Sequence, residues 1–252
     1  MLSIEPLRTS DIEATASLHR KNLRLGLFPK LGRHFLGLYQ ESFARSPYGI
    51  ALVARDDDDH VVGALFGTTA NAEHYRWVTH NFGSRLALAG CGAMLTRPQV
   101  ALDFARTRMG RYARGVARHM GVLPSASASA AQPRASRPVS VLSHIVTDAT
   151  MRRRGVGRRL IEGFANRATA RGVHRALLVT EEGGLGTPFF ERLGCRLVGQ
   201  HKSHDGAILR EYRLILDEEG AYEDLAGDRR AYTVVHAYPK RLGSASILPE
   251  RP

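Results

Sequence analysis

The tightest constraint on this chain lies in residues 139–172, where a strand pattern, a glycine-bearing turn and a helix pattern follow one another closely. "VSVLSHIVTDA" (139–149) reads as a strand. "GVGRRLIEGFANRATARG" (155–172) has apolar residues at 156, 160, 161, 164 and 168, a helical spacing closed by Gly172. The turn between them holds Arg152, Arg153 and Arg154, and the first helical turn adds Arg158 and Arg159. A helix N-terminus leaves backbone N–H groups unpaired and carries a partial positive charge. Gly155 and Gly157 remove side chains there, so an anion can approach the backbone, and the arginines supply further donors. Physically this is a cradle for a pyrophosphate. It is not a Walker loop, because G-x-x-x-x-G-K-S/T is missing. Nor is it a dinucleotide fingerprint, because Leu160 stands where a third glycine is needed. The competing reading is a surface helix with an arginine-rich first turn, which must tolerate a dipole penalty of roughly a few tenths of a kcal/mol per residue.

The rest of the chain supplies an ordered series of elements. "LSIEPLR" (2–8) alternates and predicts an opening strand, and Ser10 with Glu13 forms a capping box for a helix over 11–21. "PKLGRHFLGLYQESFARS" (29–46) predicts a second helix with Pro29 near its start. Strands at 49–55 and 60–69 form a hairpin through Asp56–Asp59. Consecutive aspartates in a tight turn should point apart, so they read as a solvated turn and not as a metal site. Residues 72–121 predict irregular helix, with Arg111, Arg114 and Arg118 on one face. "LPSASASAAQPRASRP" (123–138) cannot bury a core and reads as loop. A buried strand at 174–182, a short helix at 186–194 and a hairpin over 195–216, turning at Asp205-Gly206, follow. The sum is an α+β fold: a mixed, mostly antiparallel central sheet with flanking helices. One domain spans 1–216, with a helical insertion at 71–121 and a flexible loop at 122–138. Residues 217–252 form a C-terminal extension in which 231–238 is a candidate for one extra strand.

Composition narrows the partners. The formal charge of +12 favours an anion: nucleic acid, an anionic lipid surface or a phosphorylated cofactor. Arginine-rich codon usage would give the same excess without any function. The apolar runs are short and broken by charge, so no segment can span a bilayer, and the N-terminus lacks a signal-peptide core. Cys91 and Cys195 lie far apart without metal-like spacing and read as free thiols, which suits a cytoplasmic protein.

"IVTDATMRRRGVGRRLIEGF" resembles the acetyl-CoA signature of the GNAT acyltransferase superfamily, whose pattern of Arg or Gln, two residues, Gly, one residue, then Gly or Ala is met by Arg152, Gly155 and Gly157. "FFERLGCRLVG" (189–199) is similar to the family's next landmark, and the order of elements matches over residues 2–70 and 139–216. The resemblance implies the GNAT fold and an N-acetyltransferase that uses acetyl-CoA, or another acyl-CoA, as co-substrate and needs no metal. It implies that the pantetheine arm pairs with the backbone of Ile145, Val146 and Thr147. Amides from Arg153, Arg154, Gly155, Val156, Gly157 and Arg158, beside Arg152, would hold the pyrophosphate. The thioester would lie between strands 139–147 and 174–180, where a primary amine of a small molecule or a protein attacks it directly. A backbone N–H of the signature strand would stabilise the oxyanion.

The chain departs from the family where the catalytic acid usually sits. The tyrosine of the short helix is Phe190, which has no proton to give and would instead wall the pantetheine arm. The asparagine seven residues earlier is Gly183. Tyr212 is a candidate acid, with a half-buried sheet tyrosine as the alternative. Strand alternation places Val141, Ser143, Ile145 and Thr147 on one face and turns His144 away unless a bulge intervenes, so His144 reads as a satisfied structural histidine. Cys195 reads as a small core residue. Two other functions stay open. One is a CoA-binding protein of the same fold with altered chemistry. The other is a basic module for nucleic acid or anionic surfaces, against which stands the lack of aromatics interleaved with arginine beyond Tyr112.

Overall fold

The computed structural model describes residues 2–23, 27–107, 140–203 and 206–217. The elements are β1 (Ser3–Pro6), α1 (Ile12–Asn22), α2 (Arg33–Arg45), β2 (Gly49–Arg55), β3 (Val61–Thr68), α3 (Asn71–Leu95) and α4 (Pro98–Thr107). After the gap come β4 (Ser140–Thr147), α5 (Val156–Thr169), β5 (Arg175–Glu181), α6 (Gly186–Arg192), β6 (Arg196–Lys202) and β7 (Ile208–Ile215). The strands form one sheet in the order β1-β2-β3-β4-β5-β7-β6. Only β4 and β5 pair in parallel; the other neighbours are antiparallel. The α+β architecture expected from the sequence is therefore present.

Helices cover both faces of the sheet, which is why β2 is apolar from Gly49 to Ala54 and buried throughout. Leu52, Leu65, Leu142 and Leu178 point to one face and meet Val156, Leu160 and Phe164 of α5 and Phe190 of α6. Val53, Ala64, Phe66 and Val146 point to the other and meet Leu18 of α1 and Phe35, Tyr39 and Phe43 of α2. The close seating of α5 requires a bare backbone on β3. A Cβ at Gly67 would stand 2.6 Å from the Phe164 ring.

Several boundaries differ from the sequence expectations for physical reasons. Ser10 does not cap α1. A 3-10 turn at Thr9–Asp11 leads into it without a side-chain cap, and Asp11 closes that turn, accepting the Arg8 N–H at 2.8 Å while Arg55 Nη2 donates to its other oxygen at 2.6 Å. Both partners of that ion pair are buried. The helix expected over 29–46 breaks at Gly32, whose φ of +94° ends a short 3-10 turn at Phe28–Leu31 before α2 begins. The irregular helix expected from residue 72 is instead one continuous helix, α3, with α4 after it. His74, Val78, Phe82 and Gly90 are its buried positions. At the β2–β3 turn, Asp56 and Asp58 do not point apart as expected of the aspartate run; with His60, their ligand atoms lie within 4.8 Å of one another. The cause is the Asp56 carboxylate, which accepts the N–H groups of Asp58 and His60 at 3.2 and 2.8 Å and curls the turn around itself. The face of Arg111, Arg114 and Arg118, with Tyr112, the 122–138 loop and the 231–238 strand lie outside the described residues.

Candidate active site

The site is built on a break in the sheet. β4 and β5 pair only through Ser140–Ala176, Val141–Leu177 and Leu142–Leu178. β4 then runs on to Thr147 without β5, which stays paired with β7 as far as Glu181. The stretch Ser143–Thr147 therefore has a sheet partner on its β3 side and an open edge on its β5 side. Backbone N–H and C=O groups on such an edge are strong bonding groups in want of partners. Ile145, Val146 and Thr147, expected to pair with a pantetheine arm, all lie on this edge.

The register explains the break. Phe66 of β3 pairs with His144 and Gly67 with Leu142, so Ser143 is an extra residue, a β-bulge directly after the last β4–β5 pair. A bulge bends its strand and increases the local twist. It also corrects the expected alternation. Leu142 and Ile145 face the α5 side, whereas Val146 packs on the α1–α2 side. Paired with Phe66 of that same core, His144 lies among α1 and α2, its ring centroid 4.9 Å from His19 and 5.6 Å from Tyr39.

His144 is not a satisfied histidine. Its Nδ1 is buried and has no partner among the described residues. Burial, with His19 adding to it, pushes its pKa down to about 3. Burial lowers His19 to about 4. His19 lies in a polar chain the sequence reading missed: Thr15 Oγ1 donates to Gln40 Oε1 at 2.8 Å, and Gln40 Nε2 lies 3.5 Å from His19 Nδ1. Next to it, the Tyr39 and Tyr75 hydroxyls meet at 3.1 Å. The available signal was the unusual run of polar residues on the inward stripes of α1 and α2.

Where β4 ends, the chain turns into α5 through the residues expected to hold a pyrophosphate. Asp148 accepts the N–H and the hydroxyl of Thr150 at 2.9 and 2.7 Å. Those bonds, with Lys21 and Arg152 nearby, hold its carboxyl below the usual range. Arg153 has φ +61° and Gly155 φ +82°, and α5 starts at Val156 with no side-chain cap. The Arg159 N–H reaches the Gly155 carbonyl at 3.0 Å, so the amides of Val156, Gly157 and Arg158 precede the first intrahelical bond. Left-handed residues alternating along such a turn make an anion-binding concavity of amides.

The two glycines serve different ends. A Cβ at Gly155 would meet nothing within 4 Å, so that residue is set by its φ; at Gly157 a Cβ would stand 3.0 Å from the Phe189 ring. The arginines also divide. Arg153, Arg154 and Arg158 are exposed around the turn. Arg152 Nη2 donates to Asn22 Oδ1 at 2.9 Å, and Arg159 Nη1 to the Leu2 carbonyl at 2.8 Å, so part of the run ties the turn to its neighbours.

The remaining candidates are core residues. Phe190 is 3% exposed and packs 5.1 Å from Phe189 and 6.3 Å from Tyr212. Tyr212 is buried rather than half-buried, and its hydroxyl is engaged, donating to Glu191 Oε1 at 2.9 Å. Arg210 in turn bridges Glu191 and Glu182 at 3.4 and 2.6 Å. The Cys195 thiol is buried, and burial pushes its pKa up to about 11, the setting of an inert thiol.

The family model for the acetyltransferase (GNAT) domain matches residues 105–216, which include the splayed strand, the cradle and the short helix. Residues 105–216 thus carry a GNAT acetyltransferase domain. Solved structures share this GNAT fold at low identity. Ard1 from Thermoplasma volcanium superposes with a TM-score of 0.50 at 14% identity, over 86% of this chain and 99% of its own. An N-acetyltransferase from Staphylococcus aureus Mu50 gives 0.50 at 10% identity, over 86% and 99%. An aminoglycoside 6'-acetyltransferase type Ii gives 0.50 at 14%, over 85% and 97%. No curated protein sequence matches the chain.

Proposed function

We propose that this chain is an acyl-CoA-dependent N-acyltransferase that moves an acetyl group from acetyl-CoA to a primary amine of a small molecule or protein in a ternary complex. The observation that carries the reading is the joining of two features on one strand. β4 leaves β5 after Leu142, and its far end runs directly into the amide cradle at Arg153–Arg158. An extended arm with amides along it and a pyrophosphate at its end matches that sequence of surfaces. The open edge at Ile145–Thr147 pairs with the arm, the cradle takes the pyrophosphate, and Arg152, Arg153, Arg154 and Arg158 add charge. Phe190 forms an apolar floor below the splay. The amine attacks the thioester carbonyl, and a β4 N–H stabilises the oxyanion.

Tyr212 does not fit the role of free acid, because its proton is held by Glu191. Among the described residues, no helix is long and apolar enough to cross a membrane. Calorimetry with acetyl-CoA, followed by turnover with a panel of amines, tests the reading. Binding of duplex DNA in place of acetyl-CoA would favour the basic-module reading instead.

A further inference from the structure

Three features of His144 call for a role. The Ser143 bulge turns it onto the α1–α2 face, it flanks the open edge of β4, and its Nδ1 is buried without a partner among the described residues. A buried unpaired ring nitrogen costs free energy, and a strand without the bulge would have pointed this side chain to the α5 side. The imidazole is half-buried and is flanked by His19 from α1 and Tyr39 from α2.

We propose that His144 carries the proton of the acyl transfer, taking it from the acceptor nitrogen and handing it to the coenzyme sulfur. The inference rests on the acyltransferase reading above. The amine nitrogen bonds to the thioester carbonyl carbon and the C–S bond breaks. The proton lost by the nitrogen passes to the imidazole and from there to the thiolate, so no proton is gained or lost overall. Nitrogen and sulfur are substituents of the same tetrahedral carbon, so one ring can reach both. Phe190 leaves the sulfur without the hydroxyl that would otherwise protonate it, and a shuttle fills both vacant roles.

The electrostatics suit a carrier more than a reservoir. Burial and His19 hold His144 neutral, with a pKa of about 3, so its ring is unprotonated at rest and takes a proton only when negative charge beside it makes it more basic. The charge developing on the thioester oxygen and sulfur favours the imidazolium only while the tetrahedral species exists. Once formed, that imidazolium is a strong acid beside a thiolate, and thiols ordinarily hold a proton up to a pH of about 8.5.

The test uses the full chain with H144A and H144F. Both variants should bind acetyl-CoA within about threefold of the parent and lose roughly 10²–10⁴-fold in turnover on the amine found by the panel. Added imidazole should restore part of the H144A rate and none of the H144F rate, where the phenyl ring fills the space. Nitrogen-15 spectra of labelled histidines should show the His144 ring, identified by its loss in H144F, shifting on addition of acetyl-CoA. A ring unmoved by saturating acetyl-CoA overturns the inference whether or not an acceptor is known. So do variants with parental turnover, and so does a loss of rate that imidazole cannot rescue. Failure of the parent chain to bind acetyl-CoA overturns the acyltransferase reading itself, before any variant is made.

Discussion

Gly155 offers a clean perturbation of the cradle. Its φ of +82° is left-handed, and a Cβ built there meets nothing within 4 Å. A side chain therefore costs backbone strain but no collision. For Gly155→Ala that strain is roughly 1–2 kcal/mol, and Gly155→Asn should lose less, because asparagine tolerates the conformation. Gly155→Glu carries the same strain and adds a negative charge at the mouth of α5. Against a doubly charged pyrophosphate about 6 Å away, Coulomb's law gives roughly 1.4 kcal/mol at the dielectric constant of water and roughly 5.5 kcal/mol at an effective constant of about 20. The turn is exposed, so the lower end applies, and about 1.4 kcal/mol corresponds to a loss of about tenfold in affinity. Calorimetry with acetyl-CoA should rank the variants parent, Asn, Ala, Glu, with the gap between Ala and Glu shrinking as salt is raised. Equal affinity for Glu and the parent would falsify the placement of the pyrophosphate. A gap between Ala and Glu that ignores salt would show that the loss is not electrostatic.

Arg55→Met should lower stability by about 3–5 kcal/mol in urea denaturation, because it strands the buried Asp11 carboxylate; a change under about 1 kcal/mol would show that water reaches the pair. His19 and His74 are buried with pKa values lowered to about 4, so they stay neutral in the folded chain while the unfolded chain protonates near its ordinary value of about 6.5. Stability should therefore be level above pH about 6.5 and fall as pH drops toward about 4, with His74→Phe removing about 1.4 kcal/mol per pH unit from that slope. Phe190→Tyr should keep acetyl-CoA affinity within about threefold and leave turnover unchanged or higher. A variant that unfolds or loses the coenzyme would place Phe190 in a sealed core and remove it from the site.

The legible part of this chain is the part where backbone chemistry is written into residue type. The glycine and arginine turn before an amphipathic helix announced the turn from β4 into α5, and short apolar runs between turn residues announced strands β2, β3, β5 and β7 to within a residue or two. What stayed hidden depends on contacts between distant segments. Ser10 looks like a cap, but Arg55, from a strand 44 residues away, pairs with Asp11, and a 3-10 turn leads into α1 instead. Gly157 reads as an opening for a ligand, yet the Phe189 ring already fills the space beside it. The convergence of Asp56, Asp58 and His60 depends on which carboxylate captures the backbone, and alternation along a single strand cannot supply that. The polar chain of Thr15, His19 and Gln40 has no motif at all. Each residue looks like an ordinary polar interruption on its own helix, and only the crossing of α1 over α2 brings them together.

The bulge at Ser143 was the condition on which the reading of His144 turned, and it links the two halves of the site. Period-two alternation would keep Leu142 and His144 on one face, against α5, where His144 would displace apolar core. One inserted residue leaves Leu142 in that core, sends His144 to the face of α1 and α2, and returns Ile145 to the α5 side. The same insertion bends β4 at the point where its pairing with β5 stops. Bending the strand and setting the face of the histidine thus both trace to one backbone feature. Deleting Ser143 would straighten β4 yet keep Leu142 and Ile145 against α5 and His144 and Val146 on the α1–α2 face, because the remaining residues already alternate in the observed register. The residues flanking the bulge are therefore fixed by packing on both sides of the sheet, and the histidine beside it is held in register with the open edge.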